Sequence, residues 1–143
     1  MASNFLQGLL GNLSEISIDT LSQEFGEYLI DGEEIQTGFK LIRDAMVITN
    51  CRLLTFDRQG TTGKKMRVRS IYLDSICYVT AETAGFGIDD SELTISYIAS
   101  PYMKTPAVIL EHLKFEFPKK YNIQKLYRTL QDIAYENHIR LNS

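Results

Sequence analysis

The 143-residue chain has little of what several kinds of chemistry require. It has no apolar run of the roughly 20 residues that cross a bilayer as a helix, so no transmembrane helix is expected. Its N-terminus, MASNFLQGLLGNLSEI, has neither a Lys or Arg nor a long apolar stretch. It does not read as a secretory signal, and a cytoplasmic location is expected. Only two cysteines occur, Cys51 and Cys77, each inside an apolar run and neither in a CxxC pair; both are expected as free thiols. The two histidines, His112 and His138, are too isolated to suggest zinc or a Ser-His-Asp arrangement. No metal and no cofactor is implied. There is no internal repeat and no linker rich in Pro, Gly or Ser. A net charge of −3 argues against a nucleic-acid binder, which needs a broadly basic face.

What the chain does have is a series of short apolar runs punctuated by turns, in a length suited to one domain with one core. Phe5, Leu6, Leu9, Leu10 and Leu13 share one stripe and predict an N-terminal helix, weakened by Gly8 and Gly11. SIDTLSQEFGEYL predicts a second helix, with Ser17 as N-cap, Ile18, Leu21, Phe25 and Leu29 facing inward, and Asp31-Gly32 as its end. Strands are expected near 33–40, 43–49, 52–57, 64–73, 76–84, 91–98 and 108–117. In ELTISY, Leu93, Ile95 and Tyr97 point one way and Glu92, Thr94 and Ser96 the other; in HLKFEF, Leu113, Phe115 and Phe117 oppose His112, Lys114 and Glu116. A last helix over 122–138 turns Ile123, Leu126, Tyr127, Leu130, Ile133 and Ala134 to one side. The expected fold is mainly β, α+β by content: a seven-stranded antiparallel sandwich or barrel over 31–143, capped by that helix and preceded by a helical extension over 1–30.

Seven strands and a closing helix follow the order of a pleckstrin-homology (PH) domain, and local motifs are more specific. Gly32-Glu33, Arg43-Asp44, Thr49-Asn50, Arg52, Asp57, Gln59-Gly60 and Gly63-Lys64-Lys65 stand in the first half; Glu82-Thr83-Ala84-Gly85, Asp89 and Glu92-Leu93 follow. With these the chain resembles the bacterial pleckstrin-homology family of small single-domain proteins. Cys51 departs from it where a basic residue is usual, and Tyr72 where proline is common. The resemblance implies no enzymatic activity. It implies a self-assembling protein-interaction module, a cyclic homo-oligomer with a pentamer favoured, and an unknown further protein partner.

The basic stretch DRQGTTGKKMRVR bears on that function, because it concentrates five of the fifteen Lys and Arg residues in thirteen positions. It is not a P-loop: Arg58 stands where the first glycine belongs, Lys65 replaces the hydroxyl residue, and a strand follows. An inositol-phosphate site of PH type could draw on Lys40, Arg43, Lys64, Lys65 and Arg67, but Ala45 occupies the place of its second-strand arginine. Lys65, Arg67 and Arg69 alternate with Met66 and Val68, which predicts one cationic face on a half-buried strand. The expected binding surface, for protein or anion, comprises Lys40, Arg43, Asp44, Arg52, Lys64, Lys65, Arg67, Arg69, Glu82 and Glu92. In it a basic edge of one copy meets carboxylates such as Asp44, Glu82, Asp89 or Glu92 of the next. The alternative is a peripheral binder of anionic membrane or phosphoinositide through the same cations. The adjacent acids Glu33-Glu34 and Asp89-Asp90 cannot act as catalytic pairs, since neighbours on a strand point to opposite faces.

Overall fold

The structure, a computed structural model, describes residues 16–41, 44–59, 64–83, 90–119 and 121–143. The helix expected over 5–13, Arg43 and Asp89 lie outside these residues. In chain order come α1 (Ile18–Phe25), a 3-10 turn (Gly26–Tyr28), β1 (Ile35–Lys40), β2 (Asp44–Thr49), β3 (Arg52–Gln59) and β4 (Lys65–Tyr72). A second 3-10 turn (Leu73–Ser75) leads to β5 (Ile76–Glu82), β6 (Ser91–Ile98), β7 (Leu110–Phe117) and α2 (Ile123–Leu141). The strands form two antiparallel sheets, β1-β2-β3-β4 and β5-β6-β7; among the described residues no ladder closes them into a barrel. The chain divides into two compact units at Ser70–Ile71, within β4.

In the first unit, Ser17 Oγ accepts the Thr20 N–H at 3.1 Å and starts α1. Leu21 and Phe25 then face the sheet and pack with Ala45, Val47, Leu54 and Phe56. The Phe25 and Phe56 rings stack with centroids 4.1 Å apart. Ile18, expected to face inward, is 45 % exposed. It occupies the first turn of a helix that ends at Phe25, so only Leu21 and Phe25 reach the sheet, and the Gly26 N–H closes the turn on Ser22. Gly38 lets α1 approach β1: a Cβ there would lie 2.8 Å from both Leu21 methyls. Gly32 carries the left-handed turn (φ +78°) ahead of β1.

In the second unit, Leu93, Ile95, Phe115 and Phe117 are buried, as the two-residue period predicts. Ser96 is buried too, against expectation, with its hydroxyl 2.6 Å from His112 Nδ1. Asn122 caps α2 by accepting from the Gln124 and Lys125 N–H groups. Leu126, Leu130 and Ala134 form the buried side of α2, and Asn137 extends it. The Asn137 amide donates to the carbonyls of Leu73 and Ile76, each at 2.8 Å, and so fixes the turn before β5.

Candidate functional site

β4 is an edge strand of the first sheet, and Lys64, Lys65, Arg67 and Arg69 are all exposed along it. Met66 and Val68 between them are half-buried and pack on the core under α1. The period of two therefore anchors the strand by its apolar residues and sets the three β4 cations about 7 Å apart on one face. Among the described residues none of the four cations has a carboxylate at ion-pair distance. The alternation reverses after Arg69, where Ile71 is buried and Ser70 and Tyr72 are exposed.

Arg52 does not join that face. It is 8 % exposed, with Nε 2.9 Å from Glu33 Oε2 and Nη2 on Glu33 Oε1. Further donors reach Ser70 Oγ at 2.9 Å and the Tyr28 carbonyl at 3.0 Å. Four of the five guanidinium N–H donors are thus engaged inside the first unit, and the charge is turned inward rather than to the surface. Burial by itself would raise the Glu33 carboxyl. Hydrogen bonds from Arg52, Thr49, the Ile30 N–H and Cys51 outweigh it and hold Glu33 at about 2, from an ordinary 4.5. Cys51 and Cys77 are free thiols, and burial pushes both upward; at Cys51 the contact to Glu33 adds to the effect.

Lys40 and Asp44 meet at a shallow hollow of about 140 Å³, rimmed also by Glu24 and Arg58 and floored by Phe25 and Met66. Lys40 pairs with Glu24 and lies 5.1 Å from the Phe25 ring centre. Among the described residues two cations and two carboxylates line this rim. Lys65, Arg67 and Arg69 are not among the residues that line it.

Glu82 and Glu92 belong to a second feature, in the second unit. Glu82 stands directly opposite Glu92 on β5 and β6, and Glu92 directly opposite Glu116 on β6 and β7. Three carboxylates thus form a row across the sheet at strand spacing, about 4.8 Å per step. Lys114 offsets one of them, with Nζ 3.6 Å from Glu92. Among the described residues Glu82 and Glu116 have no ion pair, and like charges directly opposite are unfavourable. Glu116 was not among the expected site residues. HLKFEF marks it as outward, but its register against Glu92 depends on the long β6–β7 connection, whose turn residues, the SPYMKTP stretch, do not set a register. Among the described residues no group of three or more His, Cys, Asp or Glu side chains is placed to hold a metal, and no helix is long and apolar enough to cross a membrane.

Comparison with known proteins bears on this arrangement. A family model for the bacterial PH domain matches residues 4–134. The chain is 42% identical over 122 residues to the uncharacterized protein YjqA of Bacillus subtilis (strain 168), covering 85% of this chain and 94% of that protein. It is similar to the crystal structure of a pleckstrin homology domain from Shewanella amazonensis SB2B, with 32% identity, a TM-score of 0.63, and coverage of 91% of this chain and 98% of that one. A DUF1696 family protein with a pleckstrin-homology domain from Shewanella loihica PV-4 gives 31% identity and a TM-score of 0.62, over 87% and 98% of the two chains. A PH-domain-containing protein from Exiguobacterium sibiricum 255-15, 24% identical with a TM-score of 0.63 over 85% of this chain and 62% of that one, shares the fold. Sheets of four and three strands with helices at either end match the general PH-like architecture.

Proposed function

The chain belongs to the bacterial PH domain family, and from that premise we propose that it is a non-catalytic protein-interaction module that assembles with copies of itself into a closed ring, a pentamer by family resemblance. The contact runs between the cations of β4 on one copy and the Glu82–Glu92–Glu116 row of the next. The observation that carries this reading is that one chain displays both sets, exposed and without ion pairs at Lys65, Arg67, Arg69, Glu82 and Glu116 among the described residues. The two sets are different surfaces, so the contact is heterologous, the kind that closes into a ring when the rotation permits. Arriving cations also relieve the repulsion within the glutamate row. Each exposed pair contributes only about 0.2–1 kcal/mol, so the row acts as a set.

Charge reversal tests the reading by light scattering. Arg67→Glu with Arg69→Glu lowers the mass of the assembly, as does Glu82→Lys with Glu116→Lys, and mixing the two variants restores association. An unchanged mass in both variants, or a wild-type chain that stays monomeric at every concentration, refutes it.

A further inference from the structure

The connection from β6 to β7 is an ordered apolar arm. Its ladder continues past the Ile98–Leu110 pair to a hydrogen bond from the Ala99 N–H to the Ile109 carbonyl, 2.8 Å long. Ser100 Oγ accepts the Ile109 N–H at 3.4 Å and donates to the Tyr102 carbonyl at 3.1 Å. The arm holds its own shape, yet its large apolar side chains stand in solvent: Tyr102 is 79 % exposed, Ile109 57 %, Leu110 42 % and Val108 40 %. Side chains alternate along an extended segment, so Ile109 lies on one face and Val108 and Leu110 on the other. Both faces are uncovered.

A helix or sheet packed on the arm covers one face only. A strand added along an edge flanks both faces and also takes up the backbone groups of that edge. β7 is the outer strand of its sheet, and among the described residues no strand pairs with its other edge. Lipid accepts the apolar side chains but leaves those backbone groups without partners. The formal charges of residues 99–112 are Lys104, near the tip, and Glu111, at the base. Two such arms laid antiparallel bring each Lys104 toward the other's Glu111.

We propose that the β6–β7 arm docks on the same arm of a second copy, the two arms meeting edge to edge and antiparallel about a two-fold axis. This rests on the self-association reading and adds a second contact to it. The ring contact joins unlike surfaces and the arm contact like surfaces, so arm pairing joins closed assemblies in twos and doubles their mass.

Sedimentation equilibrium of the full chain tests it. A lysine introduced at position 109 places an unpaired charge in the apolar contact between the arms, so Ile109→Lys halves the wild-type mass. Ile109 is exposed, and an unchanged melting curve shows that the subunit stays folded. Lys104→Glu weakens pairing by about tenfold, and Lys104→Glu combined with Glu111→Lys restores it. A mass for Ile109→Lys equal to wild type overturns the proposal. If that variant keeps its mass but no longer sediments with phosphatidylglycerol vesicles, the occupant is lipid and the proposal falls. The two readings fail separately: without the ring contact the wild type is a dimer that Ile109→Lys converts to monomers, and without the arm contact Ile109→Lys changes nothing.

Discussion

Replacing Arg52 with Met keeps much of the side chain's volume and removes its charge, leaving a carboxylate buried alone. The Glu33 side chain is fully buried and the Arg52 side chain 10 % exposed. The guanidinium joins the end of the 3-10 turn at Tyr28, the approach to β1 at Glu33, β3 through its own backbone, and β4 at Ser70. Removing one partner of such a pair costs about 3–5 kcal/mol, because the remaining charge keeps its burial and loses its counter-ion. Against a total stability of about 5–15 kcal/mol for a domain, that moves a urea midpoint on the order of 2 M. The pH dependence separates this cause from lost packing. In the wild type Glu33 titrates at about 2 when folded, below its unfolded value. Its contribution is therefore complete above about pH 5 and lost as the pH falls toward 2. In Arg52→Met the strongest lowering influence is gone and the folded carboxyl rises toward its ordinary value. The variant therefore loses less stability than the wild type as the pH falls, and its deficit narrows between pH 5 and pH 2. A cost below about 1 kcal/mol, or a deficit unchanged between those pH values, shows that the buried pair does not hold these segments together.

Two further substitutions probe the parts that position the surfaces. Asn137→Ala removes two buried hydrogen bonds, to the Ile76 carbonyl and to the Leu73 carbonyl, which keeps the Ile76 N–H; a loss of about 1–3 kcal/mol is expected in thermal melts, whereas exposed Asn142→Ala changes little. Gly38→Ala places a methyl 2.8 Å from both Leu21 methyls; the expected cost, read from denaturant curves, is about 1–3 kcal/mol.

The strands were legible because their signal is local. ELTISY and HLKFEF alternate over six residues each, and β6 and β7 end at Ile98 and Phe117, as the pattern predicts. KKMRVR could likewise be read as cations outward and Met66 and Val68 inward, since that sorting needs only the period of two. Ser17 as a cap and the apolar side of α2 follow from neighbours three or four positions away. The features that escaped depend on contacts remote in sequence. Arg52 resembles a surface cation until Glu33, nineteen positions earlier, proves to be buried against it. Asn137 looks like a solvated position on the last helix, and only its approach to residues more than sixty positions away makes it a clamp. The glutamate row requires two registers at once, the second set across the β6–β7 connection. The arm itself reads as a turn between two prolines, and nothing local says that Val108, Ile109 and Leu110 remain uncovered.

Sedimentation equilibrium of the unmodified chain, at neutral pH and in rising salt, tests self-association through complementary charge most directly. Between 0.1 M and 1 M salt the screening length shortens from about 10 Å to about 3 Å. Association through complementary charge gives a mass that is a multiple of 16.3 kDa at low salt and falls as salt rises. A mass of 16.3 kDa at every protein and salt concentration contradicts it.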